Sequence, residues 1–298
     1  MRTRMRNRWF PPALPPISFR DPPLRALAIA LLIVAPALIA LFTFGLPWSV
    51  DWFGIYSELA RRTIHPYTIT AFFNPPWSAL PLSFLGWMPP RLSQAVNAFL
   101  NLAITALVVV RYGGTSKSLV LTLTSLPFAT LVIYGNVEWI PMSAFLVPHS
   151  LGLILIATKP QTGAMAGLVW LRQAQSKLRL LLPLIAVLIL SLLVWPGWPQ
   201  AAFANFAARQ PAPLTLPSNA SPWPWLIPAG IVLLVAAWRG RDELLGVAAT
   251  LCLSPYFVLH SATLFMALLA ARTPRLALTF SLAMWLSAIV TNWKFLVG

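Results

Sequence analysis

Residues 26–47 read ALAIALLIVAPALIALFTFGLP, a run without a single charged side chain. A helix of about 22 residues rises about 33 Å, enough to cross a hydrocarbon core of about 30 Å. The chain around it has the same character. Apolar residues make up 58% of the sequence and charged residues 9%, with a mean hydropathy of +0.76. A soluble domain carries about 25% charged residues, so this chain cannot cover a water-facing surface. Backbone polar groups in lipid must be satisfied within the segment, which leaves helices or closed barrels. The apolar runs are Leu- and Ala-rich and do not alternate, so the expected fold class is an all-α polytopic integral membrane protein.

The 21 Lys and Arg against 6 Asp and Glu give a formal charge of +15. In so apolar a chain this balance marks the cytoplasmic ends of membrane helices, with attraction to the headgroups of membrane lipids, and no nucleic-acid partner is expected. The lone cysteine, Cys252, lies in an apolar run, cannot form an internal disulfide and says nothing about redox compartment. Residues 1–25 hold six Arg and six Pro and are read as a cytoplasmic arm. No small-x-small cleavage site follows residue 47, so residues 26–47 are expected to stay as an anchor.

From there to the C-terminus the apolar segments are 26–47, 75–88, 92–110, 118–134, 137–158, 163–171, 180–195, 223–238, 244–253, 256–270 and 276–297. That is about 8–11 transmembrane or half-spanning helices in one transmembrane domain over residues 26–298. Outer loops are expected at about 48–74 and 196–222, the latter a Pro/Asn/Ser loop. Several segments are too short to span alone, and Pro127, Pro141, Pro148, Pro183, Pro228 and Pro255 interrupt them. Broken helices are tolerated only against other protein or a wet cavity, so a cavity is expected. With the Arg-rich arm inside, Arg111, Lys117 and the clusters at 172–179, 239–241 and 272–275 can also lie inside. This requires two short half-helices between Asn136 and Thr158 and a turn near Ser254–Pro255.

Two of the six carboxylates, Asp51 and Glu58, stand with Arg61, Arg62 and His65 in the outer segment after the first helix. Glu58 with Arg61 or Arg62 has the spacing of a solvated helical ion pair. Asp51 has no basic residue at helical spacing. Beside Trp48, Trp52 and Phe53 it is either the N-cap of a following helix or a general base. His65–Pro66–Tyr67 and Asn74–Pro75–Pro76 are turn chemistry, and His65 suits a loop as well as a ligand. Three further polar breaks follow: YGNVEW (134–139) with Asn136 and Glu138, ATKPQTG (157–163) with Lys159 and Gln161, and LSPYFVLHS (253–261) with Tyr256 and His260. Ionisable residues in apolar segments are costly, which makes Glu138 and Lys159 functional candidates. The alternatives are a carboxylate favoured by a helix N-terminus for Glu138 and snorkelling for Lys159. No His/Cys spacing suits zinc, and no metal or other cofactor is expected.

In order, these stretches resemble the C-type membrane glycosyltransferases, in particular the bacterial mannosyltransferase-like group (family 87 and relatives). The features carrying the likeness are an acid after the first helix with Asp-x4-Tyr spacing (Asp51, Tyr56), Pro66–Tyr67 and Asn74–Pro75–Pro76 before an apolar helix, Gly135–Asn136 opening a later one, Lys159–Pro160–Gln161, and Leu253–Ser254–Pro255–Tyr256. They span about residues 45–260. Gly135–Asn136 stands where Gly-Gln is more usual, and the chain is about a hundred residues shorter than is common.

The resemblance implies a C-type glycosyltransferase-like fold and transfer of a sugar, such as mannose, from a polyprenyl-phosphate donor to an acceptor at the extracytoplasmic face. The setting would be a bacterial inner membrane with the N-terminus cytoplasmic. Asp51 would be the catalytic base. The substrate-binding candidates are Tyr56, Glu58, Arg61, Arg62, His65, Tyr67, Asn74, Asn136, Glu138, Lys159, Gln161, Tyr256 and His260. Lys159, with Arg61 and Arg62, would hold the lipid phosphate, and Trp52, Tyr56, Tyr67 and Trp77 would rim a sugar face. Two other readings stay open: an inactive scaffold bound to a membrane-protein partner, and a transporter, against which stands the lack of an inverted repeat.

Overall fold

The computed structural model describes residues 22–69, 71–208 and 218–297. All regular elements among them are helical, and the one β feature is an isolated bridge between Asn219 and Val258. Among the described residues three helices are long and apolar enough to cross a membrane: α1 (Pro22–Gly45), α3 (Pro90–Arg111) and α9 (Lys177–Val194). A fourth span results if α4 (Ser116–Leu123) and α5 (Leu126–Tyr134), bent by 55° at the Thr124–Ser125 break before Pro127, are taken as one. On α1 and α9, Leu32, Ile33, Leu41, Leu182, Ile189 and Leu193 point outward and are exposed. Apolar faces of that extent suit a surrounding of lipid.

Shorter helices fill the interior. These are α7 (His149–Ala157), α8 (Ala164–Gln173), α12 (Glu243–Leu253) and α13 (Thr263–Arg272), with α11 (Ile227–Gly240) and α14 (Pro274–Val297) outside them. Leu264, Met266, Ala267, Leu268 and Ala270 of α13 are all buried, which marks a helix enclosed on every side. With Val108 and Val109 of α3, Ile156 of α7, Trp170 of α8 and Val247 of α12 it makes up the main core.

The helices share a common polarity of chemistry. Arg111, Arg172, Arg239 and Arg272 end α3, α8, α11 and α13, while Lys177 and Arg275 begin α9 and α14. Contacts hold this basic end together: Tyr112 and Trp170 donate to Glu243, Arg272 to Asp242, and Gln173 to the Arg241 carbonyl. The opposite ends carry the breaks at 135–138, 158–163 and 254–258. Between the first two breaks the chain descends through α6 (Trp139–Met142) and a 3-10 turn and returns through α7. These are the two half-helices the sequence requires.

Several expectations change. The first helix begins at Pro22, so residues 22–25 belong to it, and the rest of the proposed arm lies outside the described residues. Residues 75–88 form a 3-10 helix over Pro76–Trp87, with Pro81 inside it, in place of an α-helix. Residues 196–222 are not simply a loop, because Trp198–Ala208 is helix α10. Its sequence, WPQAAFANFAA, puts Pro in the first turn and alanines after it, both favourable to a helix. Residues 48–74 are a folded cap with a second core of Trp52, Tyr56, Leu59 and Phe72 against Leu82, Leu85, Val137 and Ile140.

One stripe on α3 ties this cap to the bundle. Gln94, Asn97, Asn101 and Thr105 recur every three or four residues on a single face and are buried. Gln94 donates to the Pro47 carbonyl (2.6 Å) and to Ser49 Oγ (2.7 Å). Asn97 donates to the carbonyls of Gly135 (3.1 Å) and Asn136 (3.2 Å), and Asn101 to that of Asn136 (2.7 Å). Their own oxygens accept from Trp139 Nε1 (3.0 Å) and the Trp139 backbone N–H (2.9 Å). Freed backbone groups at the break are thereby satisfied in an apolar surrounding.

Gly135 ends α5 in the left-handed conformation (φ 69°), and a Cβ there would lie 2.6 Å from Ser49 Cβ and 2.8 Å from Trp52 Cβ. Gly135→Ala should therefore destabilise the protein by about 2 kcal/mol or more, from the backbone cost plus the clash. Gly54→Ala meets no atom within 4 Å and should be nearly neutral. Thermal unfolding of the purified protein in detergent checks both; equal midpoints would contradict this account of the break.

Candidate functional site

The cap residue that faces the break at 135–138 is Asp51, and a local irregularity puts it there. Trp52–Tyr56 is a turn of π-helix in which the Ser57 N–H bonds the Trp52 carbonyl, five residues back. An i→i+5 turn brings residues five apart onto one face. Asp51 and Tyr56 are such a pair, and both reach the same side chain. Asn136 Nδ2 donates to Asp51 Oδ2 (2.8 Å), and Tyr56 OH donates to Asn136 Oδ1 (3.3 Å). Asn136 Oδ1 also accepts from the Val137 backbone N–H (2.8 Å) and from Lys159 Nζ (2.7 Å).

Behind Asn136 lies a buried ionic group. Lys159 Nζ donates to Glu138 Oε1, which also accepts from Ser261 Oγ (2.8 Å), while Thr162 Oγ1 donates to Glu138 Oε2 (2.7 Å). His260 Nε2 is 3.4 Å from Lys159 Nζ and 3.7 Å from Glu138 Oε1. Lys159 and His260 are both almost fully buried and Glu138 completely so. Asp51 makes no side-chain cap bond and Lys159 points into the protein instead of snorkelling, while Glu138 does stand at the N-terminus of α6, with its carboxylate bonded to Lys159, Ser261 and Thr162.

A cavity of about 90 Å³ opens beside this network. Its walls include Asp51, Tyr56, Asn74, Asn136, Lys159, Gln161, Tyr256 and His260. Eight polar candidates from five separate stretches of sequence thus meet at one space, with Glu138 just behind it. A second, mostly apolar space of about 420 Å³ adjoins the first and shares Phe73, Asn74, Gln161 and Tyr256 as walls. Its other walls are Pro75, Pro160, Ala164, Met165, Phe206, Leu253 and Pro255, with the hydroxyl residues Thr250 and Ser254.

The other candidates lie elsewhere. Glu58 pairs with Arg61 (3.5 Å) and Arg62 (3.3 Å) in an exposed cluster on the cap, the solvated pair its spacing predicts, and none of the three lines the cavity. Arg61 and Arg62, expected to hold a lipid phosphate, therefore stand apart from the cavity wall. His65 and Tyr67 line a separate groove with Trp195 and Trp198, and Tyr67 OH donates to the Asn74 carbonyl (2.8 Å). Burial holds the Tyr67 phenol above its usual range, so it stays a neutral donor. Trp52 and Trp77 are buried, donating to Ser93 Oγ and the Ile154 carbonyl, and neither lines the cavity. Asn97, Asn101 and Gln94, not anticipated, hold the site in place. Their three- and four-residue spacing in an apolar helix is the signal that marks them.

Lys159 is the one ammonium or guanidinium on the cavity wall among the described residues, and each of its three N–H groups already has an acceptor. No group of three His, Cys, Asp or Glu suited to a metal occurs among the described residues. No family model, curated protein or solved structure matches the chain.

Removing one member of a buried ion pair strands the other charge at a cost of about 3–5 kcal/mol. Glu138→Gln and Lys159→Met should each lower stability by about that much. The double variant should lose clearly less than the sum, since neither charge is then stranded. Thermal unfolding in one detergent measures the cycle, and additive losses would contradict the pairing.

Proposed function

We propose that this protein is a membrane glycosyltransferase that takes a sugar from a polyprenyl-phosphate donor at the extracytoplasmic face. The observation that carries the reading is the pairing of spaces: a polar cavity holding one carboxylate at its wall adjoins a larger apolar space. An amphiphile with a sugar-phosphate head and an isoprenoid tail has that division of chemistry. The order of the motifs carrying the resemblance to C-type glycosyltransferases supports it further, since Asp51, Tyr56, Asn136, Lys159, Gln161 and Tyr256 come from those motifs and line one space. Gathering of basic residues at the helix ends away from the cavity suits a cytoplasmic basic end, an extracytoplasmic cavity and a multi-pass chain in a bacterial inner membrane.

In this mechanism Asp51 removes the proton of the acceptor hydroxyl as its oxygen attacks the anomeric carbon. The bond from that carbon to the phosphate oxygen breaks with inversion through an oxocarbenium-like state, as in single-displacement glycosyl transfer generally. The departing polyprenyl phosphate is a weak base and needs no acid, only donors to meet its charge. Those donors are the side-chain amides of Asn74 and Gln161 and the phenol of Tyr256, which wall both spaces. Glu138 is not the base, because Lys159, Ser261 and Thr162 occupy its oxygens.

Asp51→Asn keeps an acceptor for Asn136 Nδ2 but removes the basicity. It should lower transfer of radiolabelled mannose from polyprenyl-phosphate-mannose by about 10²-fold or more while leaving the unfolding temperature unchanged. Glu58→Gln, on the exposed face of the cap, should transfer as the wild type does. Undiminished transfer by Asp51→Asn would remove Asp51 from the mechanism.

A further inference from the structure

We propose that this site encloses only about the first three isoprene units of its lipid donor and leaves the rest of the chain outside the protein, so that it takes polyprenyl phosphates irrespective of their total length. The proposal rests on the lipid-phosphate reading above and goes beyond it by stating how much of the lipid the protein recognises.

The larger space has a head end, an apolar wall and a floor. Asn74, Gln161 and Tyr256 wall both spaces, so the phosphate end of a lipid lies beside them. The hydroxyl groups along the larger space are already engaged within the protein. Thr250 Oγ1 accepts from the Met165 N–H (2.9 Å) and donates to the Gly246 carbonyl (3.1 Å), and Ser254 Oγ donates to the Tyr256 carbonyl (2.7 Å). Carbon surface from Ala164, Met165, Phe206 and Leu253 is what meets a chain there.

The floor is where α8 and α12 come together. The bond between Thr250 and Met165 joins them, and one turn farther along α12 Gly246 lies so close to Ala166 that a Cβ on Gly246 would stand 3.0 Å from Ala166 Cα. A chain cannot pass between two helices packed backbone to backbone. An isoprenoid entering from the head end must therefore leave the protein before that point. On one side α10 walls the space with Phe206 and turns Phe203, three residues earlier, to the outside, so the space lies near the outer surface there. Size sets the length that fits. A space of about 420 Å³, at about 30 Å³ for each methylene-sized group, holds about 14 carbons, close to a farnesyl chain of about three isoprene units. Units beyond these stay among lipid tails as apolar as themselves and gain nothing from the protein.

The test uses isomeric lipids, which enter detergent micelles equally, so that a difference between them arises in the protein. Heptaprenyl phosphate is prepared with one methyl branch replaced by phenyl, either at the second or at the sixth unit from the phosphate. Titration calorimetry of the full-length protein in one detergent gives the dissociation constants. We expect phenyl at the second unit to weaken binding by about ten- to a hundredfold relative to the unsubstituted chain, as overpacking of an enclosed space does, and phenyl at the sixth unit to change it by less than about twofold. In Met165→Ala, which enlarges the space, the gap between the isomers should narrow by about fivefold or more. If that variant does not fold, the wild-type isomers decide alone. Equal affinities of the two isomers, or weaker binding of the sixth-unit isomer, overturn this proposal while the lipid-phosphate reading stands. A gap that Met165→Ala leaves unchanged also overturns the placement of the chain in this space. If unsubstituted heptaprenyl phosphate does not bind, the lipid-phosphate reading falls and this proposal falls with it.

Discussion

The side chain and carbonyl of Asn136 join four parts of the chain that lie far apart in sequence. Its Oδ1 gathers Tyr56 from the cap, the Val137 N–H and Lys159 from the second break, while Nδ2 fixes Asp51 at the end of the first apolar helix. Its carbonyl is received by Asn97 and Asn101 of α3. In a surrounding as apolar as this one, an unmade hydrogen bond is expensive, so a fully connected amide is a strong constraint on geometry. Gly135 makes the arrangement possible by turning the chain where any side chain would strike Ser49 and Trp52.

Much of the site is readable from sequence because polar residues in an apolar chain are costly and must be placed for a reason. Asn136, Glu138, Lys159, Gln161, Tyr256 and His260 stand out at helix breaks on that ground alone. Which of them touch is not readable, since it depends on how far each half-helix descends. Trp52 shows a different limit. At a water boundary an aromatic can face either way, and the π turn adds one residue to the first turn of the cap, which shifts the direction of every side chain around it. That shift buries Trp52 and sends Asp51 and Tyr56 to Asn136. The all-helical class follows from hydropathy, whereas α10 does not, because its proline and asparagine mask an alanine-rich helix. The stripe on α3 is legible in principle, but only when a span is examined for what its polar face must hold.

Electrostatics separates the two ends of the molecule. At the basic end, Asp242 and Glu243 at the start of α12 are consumed by Arg272, Tyr112 and Trp170, which fastens the helix ends to one another. At the cavity end Glu138 is consumed in the same way by Lys159, Thr162 and Ser261. Asp51, bonded by Asn136 Nδ2, is set on the cavity wall itself, 87 positions from Glu138 in sequence. In the proposed mechanism Glu138 preorganises the site and Asp51 meets what enters it.

The central claim is that an isoprenoid phosphate lies with its head in the polar cavity and its tail in the adjoining apolar space. Photo-crosslinking tests it most directly. Met165, which lines the apolar space, and Leu193, exposed on the outer face of α9, are each replaced by p-benzoylphenylalanine and irradiated with radiolabelled polyprenyl-phosphate-mannose. The account predicts labelling at position 165 that excess unlabelled donor suppresses, and at position 193 only weak labelling that the donor does not suppress. Equal, unsuppressed labelling at both positions would mean that the lipid meets this protein only as bulk membrane, and would contradict the account.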